Sequence, residues 1–201
     1  MNKIAAAIAR GFKGLLRFSG RSSRTDFWSF AIFVFLIVFG IWMSVMSVEM
    51  SRALGEAHQY AGQHPEDVTI TTSATQYSIK VKNPPPGMGP DFGFLMKWLA
   101  GIAVFAIAML AASVTRRLHD TNRTGFWGLL PIPFLFSGLW LMSGVFKDVG
   151  RTAEPDMSAF FLLFANNLIY LVCIGVLGFL LLRSGTAGDN RFGDRDGQSP
   201  S

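Results

Sequence analysis

Four long apolar runs constrain the fold of this chain more than any other feature of its sequence. They cover residues 27–48, 94–115, 126–146 and 159–182, and Lys97 is the one charged residue within them. As helices of about 21–24 residues they would be about 31–36 Å long, which spans a hydrocarbon core of about 30 Å. None of them alternates in the way that the strands of a membrane barrel do. The sequence therefore predicts an all-α membrane protein, a bundle of four transmembrane helices.

The polar composition supports this class of protein and excludes others. Charged residues make up 15% of the chain, against about 25% in a typical soluble domain. The formal net charge is +5, and the basic residues flank the apolar runs instead of forming a separate module. We therefore expect contact with anionic membrane lipids, no nucleic-acid partner and no cofactor. Cys173 is the single cysteine, so no disulfide can form within the chain.

The lysines and arginines are distributed unequally between the two ends of the predicted spans. One side carries Lys3, Arg10, Lys13, Arg17, Arg21, Arg24, Arg116, Arg117, Arg123, Arg183, Arg191 and Arg195. The other side carries Arg52, Lys80, Lys82, Lys147 and Arg151. Because basic residues concentrate in the cytoplasmic connections of membrane proteins, both termini are predicted to be cytoplasmic. The domains are then a basic segment (1–26), a membrane domain (27–182) and a cytoplasmic tail (183–201).

Two segments outside the spans have patterns of their own. A helix at the amino terminus would have one apolar and one basic face, which predicts an amphipathic helix in the membrane interface. Its apolar face would carry Ile4, Ile8, Phe12, Leu15 and Leu16. The one long outside loop, 49–93, contains two β-branched stretches, 68–72 and 76–82, which favour a small hairpin. Two isolated strands are marginal in water, so disorder of this loop is the alternative.

Prolines and amides inside the third and fourth spans are the next features to interpret. Pro131 and Pro133 predict a bend near the start of the third span, with residues 126–130 in the interface and the main helix after them. Either a kink at the helix entry or the broken helix of a transporter would explain this bend. Asn166 and Asn167 lie inside the fourth span, where amides hydrogen-bond a neighbouring helix or line a substrate path.

His119 and Asp120 are adjacent in the second connection and raise the hypothesis of an enzyme that acts on lipid, with this pair as acid and base. A metal-dependent enzyme would need further ligands nearby, but the other histidines, His58 and His64, fall on the opposite side. We therefore predict no metal site and no catalytic residue. In the structural alternative, Asp120 and Asn122 cap the third transmembrane helix or its entry turn, and Asp120 pairs with one of the nearby arginines.

Three polar segments carry a resemblance to a known family. They are residues 20–28 (GRSSRTDFW), 116–127 (RRLHDTNRTGFW) and 185–193 (GTAGDNRFG). In this order they resemble domain-of-unknown-function family 805, which consists of small bacterial inner-membrane proteins. The resemblance implies a location in a bacterial inner membrane, and it supplies no reaction. Asn122 stands where the family often has glycine, and the outside loop is longer than in compact family members.

The predicted topology places all three segments on the cytoplasmic side, where their polar residues form a candidate ligand site. Its members are Arg21, Arg24, Arg116, Arg117, His119, Asp120, Arg123, Asn190 and Arg191. Guanidinium groups bind phosphate through paired hydrogen bonds, so we predict a non-enzymatic protein that binds anionic lipid headgroups or a phosphorylated ligand. The alternatives are a small transporter or channel component, and a structural partner in a homo-oligomer or with another membrane protein. The arginines would also be explained as topology signals alone.

Overall fold

The computed structural model of the chain describes residues 2–73, 77–82, 84–85, 87–148 and 157–193. Within these ranges it has four helices that are long and apolar enough to cross a membrane, as the sequence predicts. Most of their apolar side chains face outward, which is the arrangement expected where lipid replaces water around a protein.

Helices account for nearly all of the regular structure in the described residues. They are α1 (Lys3–Lys13), α2 (Arg24–Gln63), α3 (Phe92–Asp120), α4 (Ile132–Asp148) and α5 (Met157–Leu182). Two strands, β1 (Val68–Thr72) and β2 (Tyr77–Val81), follow α2. They pair in antiparallel fashion, with Ile70 opposite Ile79. Of the two alternatives for the outside loop, the structure has the hairpin.

The segment that follows α5 is described as far as residue 193. We call residues 183–193 the carboxyl-terminal segment. The remainder of the predicted cytoplasmic tail, 194–201, lies outside the described residues.

The first long helix continues far beyond the first apolar run. The sequence predicts that the outside loop begins at residue 49, but α2 ends at Gln63. With 40 residues, α2 is about 60 Å long, roughly twice a hydrocarbon core of about 30 Å. Arg52 pairs with Glu49 and Glu56, one turn away on either side, and these pairs stabilise the helix. Hydropathy shows where a helix stops being apolar, and it does not show where the helix ends.

The amino-terminal helix forms as predicted, and it packs on α2 through Phe12 of the predicted apolar face and through Gly11. Phe12 makes an edge-to-face contact with Phe30 of α2, with 5.4 Å between the ring centroids. Gly11 lies directly on the same ring, because a Cβ at this position would be 2.3 Å from Phe30. The helix ends before Leu15 and Leu16, so the prediction that these two residues belong to its apolar face is wrong.

The corner between α3 and α4 is built from backbone hydrogen bonds. The amides of Asn122 and Arg123 donate to the carbonyls of His119 and Leu118, both at 2.9 Å. This is a Schellman motif, and Asn122 has the left-handed conformation (φ 59°) that the motif needs and that glycine or asparagine adopts most readily. The prediction that Asp120 and Asn122 cap the third transmembrane helix or its entry turn is wrong, because Thr124 is the N-cap of the entry turn and no side chain caps it.

The third apolar run enters the bundle through a short 3-10 helix, Gly125–Leu129, and α4 begins at Ile132. Pro131 and Pro133 thus lie at the start of the helix, where missing amide donors break few hydrogen bonds. The helix is therefore interrupted at its entry, at the position where the sequence predicts a bend.

One end of the bundle brings together the start of α2 and the ends of α3 and α5. Its apolar core consists of Phe27, Leu118, Leu177, Leu180 and Leu181. The three polar segments flank this core, so we call this end of the bundle the basic end.

The opposite end joins the start of α3 to α2 and α4. Phe92 stacks on Phe146, with 4.2 Å between the ring centroids. The Asp91 amide donates to the carboxylate of Glu49 at 2.6 Å. The start of α3 therefore lies beside the later parts of α2 and α4, so α3 runs antiparallel to both. The candidate site lies at the other end of the bundle, the basic end.

Candidate functional site

A buried ion cluster lies at the centre of the basic end. Asp120 is the last residue of α3 and binds Arg21 and Arg117, and all three side chains are fully buried. Nε and Nη2 of Arg21 lie 3.0 and 2.9 Å from Oδ1 of Asp120, while Nη1 of Arg117 donates to Oδ2. Each carboxylate oxygen therefore serves one guanidinium group, and the prediction that Asp120 pairs with a nearby arginine is confirmed. We refer to Arg21, Arg117 and Asp120 as the Asp120 cluster.

Arg21 uses its remaining donors to hold the carboxyl-terminal segment. Its Nη1 donates to the Gly188 carbonyl at 2.6 Å, and its Nη2 donates to the Thr186 carbonyl at 2.7 Å. The Thr186 amide in turn donates to the Asp120 carbonyl at 2.9 Å. A Cβ at Gly185 would lie 2.1 Å from Oδ2 of Asp120, so the close approach requires glycine. The segment is therefore fixed on the end of α3.

Arg117 completes the hydrogen bonding at the end of α5. Its Nε donates to the Leu181 carbonyl at 2.9 Å, and its Nη2 donates to the Arg183 carbonyl. The last carbonyls of a helix have no partner within that helix, and a cation there also matches the negative end of the helix dipole. Arg117 thus joins α3 to α5 through polar contacts that could not be read from the sequence spacing.

His119 and Asn190 add a second contact between α3 and the carboxyl-terminal segment. The His119 ring stacks on Phe192, with 3.8 Å between the centroids and 4° between the planes. Its Nδ1 lies 3.2 Å from the Gly20 carbonyl, and Nδ2 of Asn190 donates to the His119 carbonyl at 2.9 Å. Both members of the His119–Asp120 pair therefore take part in contacts within the chain.

The three polar segments singled out in the sequence, 20–28, 116–127 and 185–193, thus meet at the basic end. A family model matches residues 15–194, which include all three segments and the spans between them. The chain belongs to the family described as Protein of unknown function (DUF805). No curated protein and no solved structure matches the chain. In this DUF805 chain, the Asp120 cluster contacts all three segments, and His119 and Asn190 add further contacts between them.

Three arginines of this DUF805 chain line one pocket beside the corner between α3 and α4. Arg123, Arg183 and Arg191 surround a volume of about 470 Å³, and no carboxylate is among the described residues that line it. The Arg123 guanidinium lies 5.6 Å from the ring centroid of Trp127. Nη2 of Arg191 donates to the Asn122 carbonyl at 3.1 Å. We call this volume the arginine pocket.

A second cavity, of about 480 Å³, lies between α1 and the ends of α2 and α3 that face it. We call it the α1 cavity. Arg116 lines it, and Nη1 of Arg116 donates to the carbonyls of Gly14 and Arg17 at 2.6 and 2.8 Å. At the rim, a hydrogen bond of 2.5 Å from Arg10 to Asp26 raises the pKa of the Arg10 guanidinium above its ordinary value.

The predicted ligand residues of this DUF805 chain converge on one end of the molecule, but they do not form one site. Arg21, Arg117 and Asp120 are buried and His119 and Asn190 are half-buried, and all five have partners in the chain. Arg123 and Arg191 line the arginine pocket, and Arg116 lines the α1 cavity. Arg24 is exposed and lines neither volume. Arg183 also lines the arginine pocket but is not among the predicted ligand residues. Its position beside the pocket depends on how the chain folds after α5.

A polar contact inside the spans bears on the transporter hypothesis. Asn166 of α5 accepts a hydrogen bond from Ser137 of α4 at 2.6 Å and donates to the Phe134 carbonyl at 2.9 Å. A Cβ at Gly138 would lie 2.9 Å from Nδ2 of Asn166, so the two helices approach closely there. Asn167 donates to a carbonyl of its own helix. Of the two alternatives for Asn166, the structure has the hydrogen bond between helices.

Among the described residues, one group of side chains has the spacing to hold a metal ion. Ligand atoms of His64, Glu66 and Asp67 lie within 4.8 Å of one another, next to the hairpin and far along the chain from His119. The group is exposed or half-buried, and such acidic groups are common on protein surfaces without a metal. The absence of a metal site stays a prediction.

Proposed function

We propose that this protein is a non-enzymatic bacterial inner-membrane protein that binds phosphate-bearing anions in the arginine pocket on the cytoplasmic face. The anion is the headgroup of an anionic lipid or a phosphorylated ligand with the same chemistry. The observation that carries the proposal is the convergence of Arg123, Arg183 and Arg191 on a pocket with no carboxylate in its described lining.

Among the residues that the structure describes, the lining of the arginine pocket holds no counter-charge for its arginines. Within the described residues, none of its arginines forms an ion pair, whereas Arg21 and Arg117 share Asp120. Like charges around one cavity repel each other. A phosphate group between them would replace this repulsion by charge-assisted hydrogen bonds, which are about twice as strong as neutral ones.

The position of the arginine pocket also suits a lipid headgroup. Arg183 directly follows the apolar helix α5, and Trp127 precedes the apolar helix α4. Aromatic and basic residues at the ends of membrane spans lie at the level of the lipid headgroups. The pocket is therefore expected at the depth where the phosphates of the lipids are found.

Hydrogen bonds within the chain hold the backbone of the walls of the arginine pocket. Arg123 lies in the Schellman motif that ends α3. Arg191 belongs to the carboxyl-terminal segment, which Arg21 fixes through the Thr186 and Gly188 carbonyls. Preorganised walls reduce the ordering that binding would otherwise require. In this proposal the Asp120 cluster positions the arginines and does not touch the ligand.

Native mass spectrometry of the protein in a neutral detergent tests the proposal. Phosphatidylglycerol or phosphatidylcholine is added, and wild type is compared with Arg123→Gln. Arg24→Gln is the matched control, because it removes one exposed arginine outside the arginine pocket. We expect phosphatidylglycerol affinity to fall about fivefold in Arg123→Gln, since a basic residue near an anionic surface contributes about 1 kcal/mol. Arg24→Gln should bind as wild type does.

The outcomes separate the competing explanations. Competition by inorganic phosphate would identify a free phosphorylated ligand, and retention of phosphatidylglycerol alone would identify a lipid headgroup. Equal binding by wild type and Arg123→Gln would refute the proposal and leave the arginines as topology signals. A protein that copurifies with wild type and is lost with Arg123→Gln would indicate a structural assembly instead.

A further inference from the structure

Arg116 is a buried cation without a carboxylate partner in the described part of the chain. Arg116 is 9% exposed. Its neighbour Arg117 is fully buried, but Arg117 forms an ion pair with Asp120. The acceptors of Arg116 are neutral, the carbonyls of Gly14 and Arg17. A neutral carbonyl stabilises a guanidinium group less than a carboxylate does, and a buried unpaired charge is unfavourable. Among the described residues, no carboxylate therefore compensates the charge of Arg116 directly.

The unused donors of Arg116 remain open toward solvent. Its Nε and Nη2 form no hydrogen bond within the described residues. Among the described residues, Trp28 Nε1 is the one fully buried side-chain nitrogen or oxygen without a hydrogen-bond partner. The two unpaired nitrogens of Arg116 are therefore not fully buried. A Cβ at Gly14 would lie 2.2 Å from Nη1 of Arg116, so the guanidinium group rests directly against the turn that ends α1. One edge of the guanidinium fork is thus available to a ligand in the α1 cavity.

Further donors line the α1 cavity on its other walls. Lys13 and Arg17 contribute two exposed cations, and Ser22 contributes a hydroxyl group. Asp26 is the one acid among the described residues of the lining, and it already pairs with Arg10. The cavity therefore has an excess of positive charge, which comes from Lys13 and Arg17 near the amino terminus and from Arg116 of α3.

We propose that the α1 cavity is a second anion site, in which a phosphate group binds between Arg116, Lys13 and Arg17. A carboxylate presents two oxygens in one plane, but a phosphate presents several oxygens in a tetrahedron. Guanidinium, ammonium and hydroxyl donors on separate walls match the tetrahedral anion better. A cavity of about 480 Å³ also leaves room for the rest of a phosphate-bearing molecule.

This site is independent of the arginine pocket. Lys13 and the whole of α1 precede residue 15, where the family match begins, whereas Arg116 lies within the matched range. The second site thus combines a helix from outside the matched range with an arginine of the second polar segment. Its residues differ from those of the arginine pocket, so each site can be tested while the other is intact.

Inorganic phosphate is the first probe, titrated into the full chain in neutral detergent and measured by calorimetry. Lys13→Gln is compared with Lys3→Gln, because the two lysines belong to the same helix and only Lys13 lines the cavity. We expect a rise of about fivefold in the dissociation constant for Lys13→Gln and for Arg17→Gln, and none for Lys3→Gln. Gly14→Ala keeps the net charge but displaces the Arg116 guanidinium, so it should weaken binding too.

The second probe is a nanodisc of phosphatidylcholine with or without phosphatidylglycerol, from which retained lipid is measured by native mass spectrometry. Phosphate binding that Lys13→Gln weakens and Lys3→Gln does not would assign the α1 cavity to a free phosphorylated molecule. Selective retention of phosphatidylglycerol with the same pattern would assign it to a lipid headgroup. If neither probe distinguishes Lys13→Gln from Lys3→Gln, the proposal is wrong, whatever Arg123→Gln shows for the arginine pocket.

Discussion

Replacing Asp120 by asparagine should destabilise this protein far more than a comparable change at its surface. The substitution keeps the size of the side chain but removes the negative charge that Arg21 and Arg117 share. Removing one partner of a buried ion pair costs about 3–5 kcal/mol, because the other charge stays buried without compensation. Two cations lose the same partner here, but both keep carbonyl acceptors. We therefore expect a loss of about 3–5 kcal/mol and not twice that value.

Asp26→Asn is the matched control for this experiment. It makes the same chemical change in the pair between Arg10 and Asp26, where the Arg10 side chain is 58% exposed. Exposed ion pairs contribute about 0–1 kcal/mol, so this variant should unfold almost as wild type does. The free energy of unfolding is measured by titrating SDS into protein in neutral micelles and following the helix signal by circular dichroism.

A second measurement tests whether the Asp120 cluster holds the carboxyl-terminal segment. Trypsin cleaves after accessible arginines, and Arg183 and Arg191 both lie in this segment. Cleavage there should become faster in Asp120→Asn and stay slow in Asp26→Asn. Equal stabilities of the two variants would refute the argument that Asp120 compensates two buried cations. A less stable Asp120→Asn with unchanged cleavage would refute only the attachment of the segment.

The remaining predictions concern two close contacts and use the same SDS titration. Gly185→Ala should destabilise the protein by about 1–3 kcal/mol, because the new Cβ would lie 2.1 Å from Oδ2 of Asp120 and one group must move. Wild-type stability of Gly185→Ala would show that the segment has room there. Asn166→Leu should cost about 0.6–2 kcal/mol, the usual range for a hydrogen bond between membrane helices, since Ser137 loses its partner. A much larger loss would assign Asn166 a role beyond helix packing.

Local sequence rules predict most of the fold. The four apolar helices follow from run length, and the interruption at the start of the third span follows from Pro131 and Pro133. The contact of Asn166 follows from the cost of an unpaired amide in lipid. The end of α2 could not be predicted in this way, because the helix continues through polar residues such as Glu49 and Arg52. Hydropathy does not distinguish a polar helix from a polar loop.

The candidate site was harder to predict than the fold, because adjacent arginines have different surroundings. Arg116 and Arg117 are neighbours in the sequence, but successive residues of a helix are about 100° apart around its axis. Arg117 consequently reaches Asp120 and the end of α5, whereas Arg116 reaches the turn after α1. No property of the two residues themselves distinguishes them. Their roles are set by groups that are far away in the chain.

The distribution of acids at the basic end connects the two proposed sites. Within the described residues, Asp120 and Asp26 are already paired, and Asp189 is exposed without an ion pair. An excess of positive charge on one side of a membrane protein is explained by topology alone, and exposed residues such as Arg24 satisfy that need at little cost. Topology does not require that Arg116 be buried or that three arginines share one pocket. Bound anions would compensate the buried charge of Arg116 and the clustered charge of the arginine pocket. We therefore place ligands in the α1 cavity and in the arginine pocket, and not on the exposed basic surface.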